Sequence, residues 1–364
     1  MAIVVNDYMD ENVFILGAGA SVESGAPLMN NFIDVAEDLF REGAVNDVSE
    51  DFERVFTIID ELQTVYSKSF IDLNNIESLF GAIEMAGIIN KLGNHTKEEI
   101  AKIRNSLIVL ISRTLEKKVR FPVTNKSVIS TLSYQKLINL LKDKKMTSSS
   151  IITFNYDIAL DFALYVNSYD PNYCLDNKIK QNIKLLKLHG SLNWFKCEKT
   201  DEIFPYTMSK FFTKYPFNIG DDDDDDGDKS KYISICTKHL DIQKQHLGKS
   251  IENVPVIVPP TWNKTEYQGT LTNVWNATAE QLCKARNIYV FGYSLPESDS
   301  FFRYLFALGT MGKSRIRRFW VFDPSKAVEE RYQRLIGKGI SNRFQYFECK
   351  FSDAIDELRK QIGL

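Results

Sequence analysis

A chain of 364 residues with 44% hydrophobic content is long and apolar enough for one large domain or two modest ones with real cores. Its formal net charge of -3, with both signs spread along the chain, excludes a global field that would gather nucleic acid or an anionic membrane. Five scattered cysteines without a CxxC pair point away from a disulfide framework or a zinc ribbon, and reduced thiols are expected.

The opening residues MAIVVNDYMDENVF lack the basic start and long apolar stretch of a signal peptide. No later run of about 18 apolar residues is present to span a bilayer, so a cytoplasmic protein is expected. Residues 13–16 have the length and β-branched content of a buried strand, and the glycine-rich GAGASVESGAP (17–27) follows without a spacer. Leu28, Phe32, Val35 and Leu39 then predict a helix beginning near Leu28. Its positive end would face the same turn, which therefore reads as a phosphate cradle.

From 41 to 145 the apolar spacing is helical throughout, most cleanly at Ile100, Ile103, Leu107, Ile108, Ile111 and Leu115, and an all-helical insertion is expected. Strand-like runs return at SIITF (150–154), IKLLKLH (183–189), VPVIV (254–258), IYVFG (288–292), RFWVF (318–322) and FQYFE (344–348). Helical patterns lie between several of them, as at 275–285 and 327–336. Strands alternating with helices predict an α/β fold: a Rossmann-like, mostly parallel sheet with helices on both faces. Residues 1–40 and 146–364 would form that domain, with an irregular acidic loop at about 196–250. Seven aspartates in the eight positions 221–228 repel one another and bury nothing, which predicts a solvated loop, not a calcium site. Cys236, His239 and His246 lack a fourth ligand at usable spacing, so no metal is expected.

In an open parallel sheet, ligands bind beyond the carboxyl ends of the strands. The residues that follow the predicted strands are Gly17, Ala18, Gly19, Ala20 and Ser21; Asn155, Tyr156 and Asp157; His189, Gly190 and Ser191; Gly292, Tyr293 and Ser294; and Asp323. A dehydrogenase would need glycine where Val22 stands, and an acidic residue closing a second strand where the helical section begins. A tight turn without a ligand stays open for the glycines, helix capping for Asn155 and Asp157, a packed core role for His189, and a plain turn for Asp323.

GAGAS with SGAP, then TFNYD (153–157), LHGS (188–191) and GYSL (292–295), in this order and each after a strand, resembles the sirtuin-like family. NIESLF (75–80) looks like that family's bacterial defence branch. The resemblance implies an NAD-binding Rossmann-type domain that cleaves the nicotinamide–ribose bond, with NAD+ as substrate. Protein-deacylating members carry a zinc module with two CxxC pairs, which this chain lacks, so it is nearer the NADases that hydrolyse NAD in anti-phage defence. Some of these work with a HerA-type ATPase. By resemblance, Asn155 holds the attacking water or a ribose hydroxyl, His189 takes a proton and Asp157 binds the nicotinamide carboxamide. Gly17, Ala18, Gly19 and Ser21 line the phosphates, Gly292 and Ser294 contact phosphate or ribose, and Asp323 accepts from the adenosine ribose. A non-catalytic NAD or ADP-ribose sensor and a deacylase without its zinc module are the alternatives. The amphipathic faces of the insertion lead us to expect a homo-oligomer.

Overall fold

The computed structural model describes residues 11–64, 68–124, 127–176, 182–200, 202–206, 208, 217–221, 231–235, 245–246, 249–250, 252, 254–258, 268–312 and 314–364. Its centre is a six-stranded sheet of β1 (Asn12–Leu16), β2 (Ser149–Thr153), β3 (Lys184–Lys187), β4 (Asn287–Phe291), β5 (Arg318–Phe322) and β6 (Phe344–Phe347). All neighbours pair in parallel, in the order β3-β2-β1-β4-β5-β6. That is the doubly wound, Rossmann-like order, in which the chain leaves β1 to one side and returns to the other. β1 and β4 are buried along their whole length, as near-continuous apolar runs in a parallel sheet should be.

Helices cover both faces. Phe291 stacks on Phe322, and Phe351 of helix α10 (Phe351–Ile362) packs against Phe291. Phe319, three residues before Phe322 and so on the opposite side of the strand, meets Phe306 of helix α8 (Ser300–Gly309). Helix α5 (Leu132–Leu141) joins the first face through the Tyr134–Phe351 contact.

The predicted helical section contains α2 (Ser49–Gln63), α3 (Ile76–Ile89) and α4 (Lys97–Lys118), which pack on one another. Thr96 and Glu99 start α4 with a reciprocal capping box, and Asn75 caps α3 by accepting from Glu77 and Ser78 N–H. The section is not helical to its end, however. Arg120–Thr124 is a strand paired antiparallel with Lys231–Ile235, and α5 packs on α10 and on the helix Ala159–Val166. Helical periodicity ends at Lys118, where Arg120–Thr124 takes up ladder bonds from a distant segment.

Two other expectations change. Helix α1 (Phe32–Arg41) begins at Phe32, not near Leu28: beyond the 3-10 turns at Ala18–Ala20 and Val22–Ser24, residues 25–31 stay non-helical and Asn31 takes the N-cap position. Val256–Ile257 pairs antiparallel with Gly190–Ser191 and stands outside the main sheet. Aspartates 222–228 and the potential ligands Cys236 and His239 lie outside the described residues, as does 259–262.

Candidate active site

The strand ends are level. Leu16 is in register with Thr153 and Phe291, Thr153 with Lys187, and Phe291 with Phe322. The next residues of five chain segments therefore share one rim, and the switch in strand order falls between β1 and β4.

At that switch the two glycine turns interlock. Gly19 N–H donates to Gly292 O at 2.9 Å, and Gly17 N–H to Phe291 O at 3.1 Å. A Cβ on Gly19 would stand 2.8 Å from Gly292 Cα, and one on Gly17 would stand 2.5 Å from Tyr293 Cα. Gly292 also takes φ +57°. The bare backbone is thus demanded by a second turn packed against it. The N–H groups of Gly17, Gly19, Ala20 and Ser21 all donate to backbone carbonyls.

Asn155 reaches back to this turn. Its Nδ2 donates to Gly17 O at 2.9 Å and to Ser21 Oγ at 3.0 Å. A carbonyl oxygen can only accept, so the amide orientation is fixed, with acceptance of anything bound left to Oδ1. Ser21 is fully buried and its Oγ also pairs with the Tyr134 hydroxyl at 2.8 Å. Asp157, beside Ser21, is buried and accepts Ala159 N–H at 2.9 Å, bracing the start of helix α6 (Ala159–Val166). Burial pushes its carboxyl above the usual carboxylate range, with Lys187 acting in the opposite sense. Behind it, Lys187 Nζ donates to Asp157 O at 2.6 Å and to Asp161 Oδ2 at 2.8 Å, and Tyr173 OH holds the other oxygen of Asp161.

His189 stands on the same rim, linked to the glycines through aromatic rings. Phe154 stacks on Tyr293 at 3.9 Å and meets the His189 ring edge-on at 5.2 Å. His189 Nε2 lies 3.6 Å from Asp299 Oδ2, which also accepts the Tyr293 hydroxyl at 2.6 Å. The following residue, Gly190, has φ +84° and a Cβ there would collide with the Val256 carbonyl. His189 O accepts Val258 N–H at 2.9 Å, so the loop behind the imidazole is pinned by a short ladder.

Gly17, Gly19, Ser21, Asn155, Asp157, His189 and Gly292 thus come together. Ala18 opens the first 3-10 turn beside them. Ser294 and Asp323 stand further along the rim. Ser294 is exposed, and its carbonyl accepts from Arg331. Asp323 accepts Ser325 N–H at 2.9 Å in a tight local turn, and burial raises its carboxyl above the ordinary value. The residues that the motifs do not reveal are Tyr134 and Asp299. A signal for Asp299 exists in GYSLPESD, an acid one short turn beyond a strand-end motif; none exists for Tyr134, on a separate helix. A cavity of about 600 Å³ bounded by Tyr346, Glu348, Cys349, Asp353 and Glu357 includes none of these residues in its walls.

Neither a family model nor a curated protein sequence matches the chain. Solved structures of similar path include a Sir2 homologue in complex with NAD, at TM-score 0.44 and 13% identity, covering 97% of this chain and 89% of that one. A mutant Sir2 homologue in complex with ADP ribose is similar at TM-score 0.41 and 15% identity, covering 97% and 94%. Sir2 bound to an acetylated peptide gives TM-score 0.40 and 12% identity over 97% and 93%. By its strand order, the protein is of the doubly wound Rossmann-like class.

Proposed function

We propose that the protein is an NAD+ glycohydrolase, adding water across the nicotinamide–ribose bond to release nicotinamide, ADP-ribose and a proton. The observation that supports this most is the meeting of Asn155, Asp157 and His189 with the interlocked glycines at the β1/β4 switch point, the place where a doubly wound sheet receives a dinucleotide. Cleavage builds positive charge at the anomeric carbon while nicotinamide leaves as a neutral molecule. The site then needs orientation and a modest base more than a strong acid. Asn155 Oδ1 accepts from the attacking water or a ribose hydroxyl, and His189 takes the proton. Asp157 holds the carboxamide, the turn containing Gly17, Ala18, Gly19 and Ser21 lies along the pyrophosphate, and Gly292, Ser294 and Asp323 face the ribose side.

From the motif resemblance we further propose that this activity depletes NAD in bacterial anti-phage defence, in an oligomer controlled by a HerA-type ATPase. Purified protein, alone and with such an ATPase, is expected to convert NAD+ to equal amounts of nicotinamide and ADP-ribose. Asn155→Ala and His189→Ala are each expected to lose about 10² to 10⁴ in turnover while retaining the fold. A folded wild type silent under both conditions, or variants at wild-type rate, would reject the assignment. NAD-dependent removal of acetyl groups from peptides would instead favour a deacylase.

A further inference from the structure

His189 faces a carboxylate that no motif assigns. Asp299 lies in the 3-10 turn Glu297–Asp299, and its side chain and that of His189 are 1% and 3% exposed. Nε2 and Oδ2 stand 3.6 Å apart. The Tyr293 hydroxyl donates to the same oxygen at 2.6 Å, which fixes where the carboxylate points. Tyr293 is itself held from both sides. Its ring is stacked on Phe154 and meets Phe302 edge-on, and its carbonyl accepts the hydroxyl of Tyr332, on helix α9 (Lys326–Leu335). The carboxylate is therefore positioned by a packed aromatic frame and not by the loop alone.

At that separation no direct hydrogen bond forms, but the negative charge and lone pairs of the carboxylate favour the proton on the imidazole nitrogen that faces it. The other nitrogen then keeps its lone pair. We infer that Asp299, braced by Tyr293, is a positioning residue that holds the proton of His189 on Nε2 and makes Nδ1 the ring's proton acceptor. This rests on the proposed role of His189 as base and adds which atom accepts and what sets it. When Nδ1 takes a proton from water, the positive charge of the imidazolium forms next to Oδ2, whose negative charge stabilises it. Among the described residues, the other titratable neighbours do not compete for that role. Tyr156, whose ring centroid is 6.1 Å from the imidazole, and Tyr293 are buried phenols held well above their ordinary pKa, chiefly by burial. Tyr332 is likewise neutral, and Glu77 acts on both Tyr156 and Tyr293 from the first turn of α3.

Nitrogen-15 NMR of the full-length protein tests the assignment without any turnover. The chain has four histidines, so His189 is identified by the signal that His189→Gln removes. The expected result at about pH 8, where a free imidazole is neutral, is a protonated Nε2 and a pyridine-like Nδ1. A proton on Nδ1 overturns the proposal. In the enzymatic arm, Asp299→Asn is expected to lower kcat about 10- to 100-fold, with the KM for NAD moved less than about threefold. The acid limb of its pH–rate profile should move to lower pH, and Asp299→Glu should restore part of the rate. An Asp299→Asn enzyme with wild-type kcat and pH profile also overturns it. If His189→Ala keeps full turnover, the NADase reading of His189 fails, while the NMR result still decides the tautomer.

Discussion

Asn155 and Asp157 stand two residues apart after the same strand and meet different surroundings. The first is partly open, with its amide tied to Gly17 and Ser21, whereas the second is buried at the start of a helix. Burial raises the Asp157 carboxyl above its ordinary value, so the folded chain keeps this proton over an interval where the unfolded chain has released it. Any penalty is absent below the ordinary carboxylate value and grows as pH rises through the elevated one. Asp157→Asn keeps an oxygen for Ala159 N–H without the charge. Its melting temperature relative to wild type is expected to be higher at about pH 8 than at about pH 4. Melting curves across that range check this, and a difference independent of pH contradicts it. Asn155 and His189 were legible because polar residues directly after apolar strands fall on the ligand edge of a parallel sheet. Asp299 and Tyr134 were not, since their relation to His189 and Ser21 exists only once remote elements pack.

Among the elements, β3 shows how a strand can carry a charge inside a core. Lys187 ends β3 fully buried, unlike Lys184 at its start, and it is tolerated because Asp161 in the first turn of α6 and the Asp157 carbonyl just before that helix both accept from it. Lys187→Met strands the Asp161 charge in the interior and is expected to destabilise the protein by about 3 to 5 kcal/mol in denaturant unfolding. Adding Asp161→Asn, which still accepts from Tyr173, is expected to recover most of that loss; no recovery would show that the pair is not the cause. The main strands were legible from their apolar runs to within a residue or so, and α4 from its spacing. What escaped was the strand Arg120–Thr124, whose partner Lys231–Ile235 comes from far along the chain, and the start of α1, which follows two 3-10 turns and a non-helical stretch. Local periodicity holds no information about either.

For the whole molecule, the order β3-β2-β1-β4-β5-β6 sets where a dinucleotide would lie and which segments it would clamp. A ligand that binds only the folded state adds stability as its concentration exceeds Kd, about 2.7 kcal/mol at a hundredfold excess. With His189→Ala to prevent consumption, NAD+ and ADP-ribose are both expected to raise the melting temperature in a concentration-dependent manner. No shift at saturating concentrations would argue against a dinucleotide site on this rim.

The interlock of Gly17 and Gly19 with Gly292 and Tyr293 joins β1 to a strand made much later, and the Asn287 side chain clips onto Asn12, 275 positions earlier, at the other end of the same pair. While the ribosome is still working, β1 can find β2 and yet must wait with one edge open for β4. A half-made chain therefore has no completed rim. If the finished protein destroys a metabolite its own cell depends on, that late closure means nascent copies are harmless until β4 has been made.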